Sequence, residues 1–307
     1  MSKKIAILLS RDRNPGPRQT VMERALLDGL ESRVATPVLV VPHLYDLAPE
    51  GPTVQAIRAI EGDLIVLAWL YPRSVYWVLE ANQIAGKLGQ TSSLGEIDSA
   101  DEKAGRAAEP DSPHRTIWCF DLRLSNEPGY FLRQVDDILA RALPSGLEGT
   151  AGESKGKVRV MEESTRPRWY PVVDRHRCTG CMECLNFCLF GVYGLDLNGK
   201  ILVEEPDACR PGCPACARIC PAAAIIFPQH SDPAIAGDPL LSLEGLKLDL
   251  SQIFAGIDPA TLAAQERQKA LASHPPLLGD GNTDRIDHET AKSSLDKLVD
   301  QVDGLQI

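Results

Sequence analysis

Nowhere in these 307 residues do eighteen apolar residues run together, so the chain offers no membrane-spanning helix. Its first apolar run, residues 5–9, breaks off at Ser10, Arg11, Asp12 and Arg13, too short for the core of a secretory leader. Neither G-x-G-x-x-G nor G-x-x-x-x-G-K-[ST] occurs, which removes the usual loops for cradling nucleotide phosphates. Excess positive charge is also missing: 32 Lys and Arg stand against 42 Asp and Glu, a formal net charge of −10. That balance argues against nucleic acid as a partner and allows docking onto a basic face of another protein. A cytoplasmic location without a membrane span is the expectation.

What the chain does have is cysteine in an unusual distribution. Eight of its nine cysteines form two runs, Cys178-x2-Cys181-x2-Cys184-x3-Cys188 and Cys209-x3-Cys213-x2-Cys216-x3-Cys220-Pro221. Thiolates this close repel one another and thiols oxidise, so a positively charged group should hold them. Three thiolates within seven residues, then a fourth one helical turn later, is the spacing of a ligand set for a [4Fe–4S] cube. Two sets point to two such clusters. Zinc is a weaker alternative, because structural zinc sites pair short C-x2-C knuckles across a longer spacer. Disulfides belong mainly to small secreted domains. A reducing compartment suits eight thiolates and an oxygen-sensitive metal group.

The runs are an internal repeat: Cys181, Cys184 and Cys188 map onto Cys213, Cys216 and Cys220 at a constant offset, each run ending in an apolar stretch. The pattern over residues 168–228 resembles the bacterial two-cluster ferredoxins. In that family the fourth cysteine of each run ligates the other cluster. The resemblance implies one [4Fe–4S] cluster on Cys178, Cys181, Cys184 and Cys220, and the other on Cys209, Cys213, Cys216 and Cys188. It also implies a small α+β fold that carries single electrons to redox partner proteins. Two departures stand out. Leu189 occupies the place of the proline that usually follows the fourth cysteine, with Gly191 nearby to turn the chain. The second run has an extra residue between its first two cysteines, where Pro211 and Gly212 shape a wider loop. Arg210 and Arg218 would favour the reduced, more negative state of a bound cluster. The apolar Leu189, Phe190, Val192, Tyr193, Ile219, Ile225, Ile226 and Phe227 would keep water from it.

Residues 1–143 read as a separate α/β domain. Apolar runs at 4–10, 36–41, 63–69 and 115–121 predict buried strands. Between and after them, helices are expected at 19–31, 53–61, 72–85 and 129–143. The first would bury Val21, Ala25, Leu26 and Leu30; the last Phe131, Leu132, Val135, Ile138, Leu139 and Leu143. Such alternation implies right-handed crossovers and a mainly parallel sheet. The interval 88–113 has almost no large apolar residues and reads as a disordered insertion. Ligands of such sheets sit beyond the carboxyl ends of the strands. The residues expected there are Ser10, Arg11, Arg13, Asn14, His43, Tyr45, Tyr71 and Arg73. The arginines read as solvated loop residues, or as holders of a phosphate or carboxylate. His43 reads as structural, and Cys119 as a small hydrophobe in a buried strand. Strand one followed by Ser10-Arg11-Asp12 also resembles in shape the opening of small tetrapyrrole chelatases. That family's metal-binding histidine is absent here.

Residues 144–166, rich in Gly, Ser and Glu, read as a flexible tether that lets the 167–229 cluster domain swing. The acidic tail, 230–307, is expected to carry helices at about 258–273 and 284–304. The second has an apolar stripe that would pack on its own protein or dock a partner subunit. Two functional expectations follow. One is an electron carrier whose α/β domain binds a partner or ligand. The other is an iron–sulfur oxidoreductase, or its electron-input subunit, in which that domain binds a small substrate or cofactor. No catalytic residue is identifiable outside the cysteines, so a carrier is the favoured expectation over an enzyme.

Overall fold

A computed structural model describes residues 4–33, 36–91, 115–142 and 158–238. Six parallel strands form the main sheet. They are β1 (Ile5–Ser10), β2 (Val38–Val41), β3 (Asp63–Ala68), β4 (Lys87–Leu88), β5 (Thr116–Asp121) and β6 (Val158–Val160). Their order is β4-β5-β3-β1-β2-β6, with Leu8 level with Leu39 on one side and Val66 on the other. The fold expected of residues 1–143, an α/β domain with a mainly parallel sheet, is what these residues form.

Helices α1 (Pro17–Arg33), α2 (Pro52–Arg58), α3 (Pro72–Ala81) and α4 (Pro128–Ala142) cover both faces. Every residue of β1 is buried, as a strand sandwiched between helices requires. Its side chains alternate. Ile5, Ile7 and Leu9 pack with α1 and α4 through Met22, Leu26, Leu30, Phe131 and Val135. Ala6 and Leu8 pack on the other face with Val54 and Ile57 of α2 and Val75, Val78 and Leu79 of α3. The inner stripe of α1 runs through Met22, Leu26 and Leu30, a clean i, i+4, i+8 set. Val21, expected on that stripe, is instead 67% exposed.

Two strands depart from the sequence expectation. β6 lies within the 144–166 segment read as a tether, and it hydrogen-bonds along β2 with Val158 level with Val38. Its three residues carry partly or largely exposed side chains, so they leave no hydrophobic signature. β4, at the start of the interval read as an insertion, pairs with β5. The rest of that insertion from residue 92, the tether up to 157 and the tail helices with their docking stripe lie outside the described residues.

The cysteine-bearing segment adds two small sheets. β7 (Val172–Val173) pairs antiparallel with β10 (Ile225–Ile226), and β8 (Tyr193–Leu195) with β9 (Ile201–Val203). Short helices α5 (Glu183–Phe187) and α6 (Ala215–Ile219) occupy equivalent places in the two repeats. A final turn, α7 (Pro233–Ala236), is capped by the Asp232 carboxylate accepting the Ala234 N–H. This carries the ordered segment past 229. Tyr170, Val172 and Ile226 join the same core as α2 and α3, so one apolar interior runs through both parts. The module expected to swing is packed here against the α/β domain through that core. Among the described residues no helix is long and apolar enough to cross a membrane.

Candidate metal centre

Each short helix presents two cysteines. Cys184 lies inside α5 and Cys188 ends it; Cys216 lies inside α6 and Cys220 ends it. Cys188 and Cys220 leave their helices in matching extended conformations, φ −74°, ψ 111° and φ −65°, ψ 114°. Gly191 follows the first helix at φ +67°, and Gly212 shapes the wider loop of the second run at φ +78°. Both are conformations that glycine adopts without strain. The loop closes through the Cys213 N–H, which donates to the Arg210 carbonyl at 3.1 Å.

The runs interleave. Cys178, Cys181, Cys184 and Cys220 line one cavity, together with the apolar Val173 and Ile225. On the other side, Cys216 has Cys209, Cys188 and Cys213 as its charged-state neighbours. The last cysteine of each run therefore stands with the first three of the other. None of the nine is in a disulfide. Among the described residues, no three Cys, His, Asp or Glu side chains converge closely enough for a single ion. The first four thiols instead surround a space.

Electrostatics make these positions poor hosts for bare thiolates. Burial, then Cys220, Cys178 and Cys181, pushes Cys184 up to about 11 despite a bond from the Leu185 amide. Burial and the neighbouring Cys213 and Cys188 push Cys209 up to about 12. Cys216 rises to about 12 through burial and its three neighbours, against a lowering bond from Tyr193. Without a cation, these groups stay protonated. Donors do face the sulfurs: the Ala224 N–H reaches Cys220 Sγ at 3.3 Å. The buried Tyr193 hydroxyl has no nitrogen or oxygen partner among the described residues, and Cys216 is its neighbour. All-sulfur donors around a space, apolar walls and hydrogen-bond donors aimed at sulfur fit an iron–sulfur cluster.

Two uncharacterised ferredoxins of Methanocaldococcus jannaschii resemble this chain. One is 44% identical over 66 residues, which are 21% of this chain and 44% of that protein. The other is 37% identical over 58 residues, 18% of this chain and 74% of the relative. Over about a fifth of its length, the chain belongs to the ferredoxin family. It spans under half the length of the first relative. No family model and no solved structure matches the chain.

The ferredoxin module sits against the carboxyl ends of the α/β strands, the edge where the candidate ligand residues were expected. Arg13 forks onto the Asp46 carboxylate, Nε to Oδ2 at 2.7 Å, and also donates to the Arg168 carbonyl. Asp46 in turn accepts the Arg168 N–H at 2.9 Å. His43 Nε2 stands 3.0 Å from Gln229 Nε2, and its Nδ1 faces Asp46 Oδ2 at 3.4 Å. Tyr45 stacks on Tyr170. Arg73 Nε donates to Asp174 Oδ2 at 2.7 Å. Ser10 Oγ accepts the Leu44 N–H, and the Arg123 guanidinium lies 3.9 Å from the Tyr71 ring centroid. Arg11 and Asn14 are exposed.

Arg13 and Arg73 are thus neither solvated nor waiting for a phosphate; each holds an acid, and Arg73 reaches into the module. Asp46 and Asp174, both 4% exposed, are the functional residues that sequence reading missed. Asp174 follows the apolar Val172 and Val173, where a buried acid signals a buried cation. Cys119 is fully buried in β5, and burial alone raises its thiol.

Proposed function

We propose that the protein transfers electrons through two [4Fe–4S] clusters, in the manner of the two-cluster ferredoxins. One cluster is assigned to Cys178, Cys181, Cys184 and Cys220, the other to Cys209, Cys213, Cys216 and Cys188. The interleaving of the two runs is the observation that supports this most directly. A cluster supplies one-electron oxidation and reduction without net proton transfer. The residues of this chain do the rest. The apolar walls exclude water, and the Ala224 amide and Tyr193 hydroxyl place partial positive charge at sulfur, stabilising the reduced state. Arg210 and Arg218 add positive charge to that side. Anaerobic purification should give about eight iron and eight sulfide per chain, with a low-temperature EPR signal after dithionite reduction. Zinc without sulfide would refute the reading.

The second reading is electron input to a ligand on the α/β domain. The position of the module at the ligand-binding edge of the sheet favours it, with Arg11 and Asn14 exposed beside that edge. A flavin or tetrapyrrole band co-purifying with the iron would establish it; its absence leaves the carrier.

A further inference from the structure

We propose that Arg73, on α3 of the α/β domain, positions the cysteine set Cys178, Cys181, Cys184 and Cys220, so that this domain is a working part of that cluster site. The inference rests on the two-cluster reading above.

The Arg73 side chain is 8% exposed and reaches two segments of the module at once, the residue after β7 and one just before β10. Its Nε meets Asp174 Oδ2 at 2.7 Å, and a terminal nitrogen donates to the Ala223 carbonyl at 2.8 Å. Each contact leads to one end of the set. The other Asp174 oxygen accepts the N–H groups of His176 and Arg177 at 3.0 and 3.2 Å. The Asp174 carbonyl accepts the Cys178 N–H at 3.0 Å, completing the turn that presents the first cysteine. Just before β10, Ala223 sits at φ +51°, a conformation that a residue with a side chain keeps only when held. Its neighbour Ala224 aims its N–H at Cys220 Sγ. The Asp174 N–H donates to the Ala224 carbonyl at 2.7 Å, tying the two segments together.

The chain Arg73 to Asp174 to Cys178, and Arg73 to Ala223 to Ala224 to Cys220, grips the first and last cysteines of one set. Both of these Arg73 contacts, to the Asp174 carboxylate and to the Ala223 carbonyl, lead to that set. Arg177 Nε stands 3.8 Å from Asp174 Oδ2, too long to replace the fork. Removing Arg73 therefore loosens one set selectively.

Arg73→Met should keep the fold by circular dichroism and lose about half of its roughly eight iron atoms. Iodoacetamide labelling read by mass spectrometry should then find Cys178, Cys181, Cys184 and Cys220 modified, with the other four protected. Arg73→Lys retains charge beside Asp174 but not the planar fork. It should keep both clusters and shift the midpoint potential of one. Full iron with both midpoints unchanged in Arg73→Met would overturn the proposal, as would labelling spread evenly over eight cysteines. If Arg73→Met does not fold, Arg73→Lys decides: two unchanged midpoints overturn it. A wild-type protein without iron and sulfide sinks the two-cluster reading instead, a separate result.

Discussion

Tyr45 and Tyr170, 125 positions apart in the chain, stack with ring centroids 4.3 Å apart and 20° between planes. The Tyr45 hydroxyl accepts the Tyr170 N–H at 2.6 Å and donates to the Tyr170 carbonyl. One side chain of the α/β domain thus satisfies both backbone groups of a residue that enters the ferredoxin module. Tyr45→Phe keeps the stack and leaves two buried backbone groups unpaired, a cost of about 1–3 kcal/mol. Tyr45→Ala also empties the space of a ring and should cost about 3–5 kcal/mol. Urea unfolding of the three proteins should rank them in that order. If Tyr45→Ala matched the wild type, the two parts would not share a core.

The Asp46 carboxylate next to this stack should give acid sensitivity of a defined sign. Burial by itself raises Asp46, but bonds from His43, Arg13 and the Arg168 amide outweigh it and leave the group below its ordinary 3.8. A carboxyl depressed in the folded state stabilises that state fully above 3.8, where folded and unfolded forms are both ionised. The contribution fades as pH falls from there through the folded value, because the unfolded chain takes up its proton first. Asp46→Asn should cost on the order of 3 kcal/mol near neutrality. The gap in melting temperature between the two proteins should shrink only below pH 3.8. A gap that closes between pH 7 and 5 would assign the effect to another group.

The raised thiols predict an order of reactivity in the cluster-free protein. Thiolate is the nucleophile, so Cys184 at about 11 and Cys216 at about 12 should resist alkylation at pH 8. Cys181, exposed at the mouth of its set, should react first. Raising the pH toward 11 should speed Cys184 in particular. The same protonation means that loading iron releases protons, so reconstitution should improve with pH across the neutral range. Equal labelling of all eight cysteines at pH 8 would contradict the burial of Cys184 and Cys216.

Local pattern was legible in the sequence; long-range partnership was not. The six-residue run of β1 announced a strand buried on both faces, and the cysteine spacing announced two repeated sets. The inner face of α1 slipped from Val21 to Met22 because both neighbours are apolar and only packing against Leu132 and Ile7 chooses between them. β6 escaped because three half-exposed residues after a glycine-rich stretch carry no periodicity. Arg13 and Arg73 read as solvated loop residues or ligand holders because their acids lie far along the chain, Asp46 thirty-three positions on and Asp174 a hundred and one. A charged residue at the end of a parallel strand reads the same way whether its partner is a phosphate or another domain. Only the folded chain separates the two.

Leu189 marks the place where the first repeat differs from the second, which has Pro221. It is 92% exposed, between Phe187 and Phe190 at 37% and 42%. The preceding Cys188, at φ −74° and ψ 111°, already has the extended backbone that a following proline demands, nearly that of Cys220 before Pro221. Leu189→Pro should therefore be accepted, with the iron content unchanged. It should gain about 0.4–1 kcal/mol by restricting the unfolded chain. It would also remove an apolar side chain from the surface next to Cys188, where such exposure suits contact with a redox partner. Electron delivery from that cluster to an added acceptor protein should then slow while the midpoint potential stays fixed. Loss of iron from Leu189→Pro would show that the first repeat has lost the backbone geometry of the second; a faster transfer would rule out a docking role for Leu189.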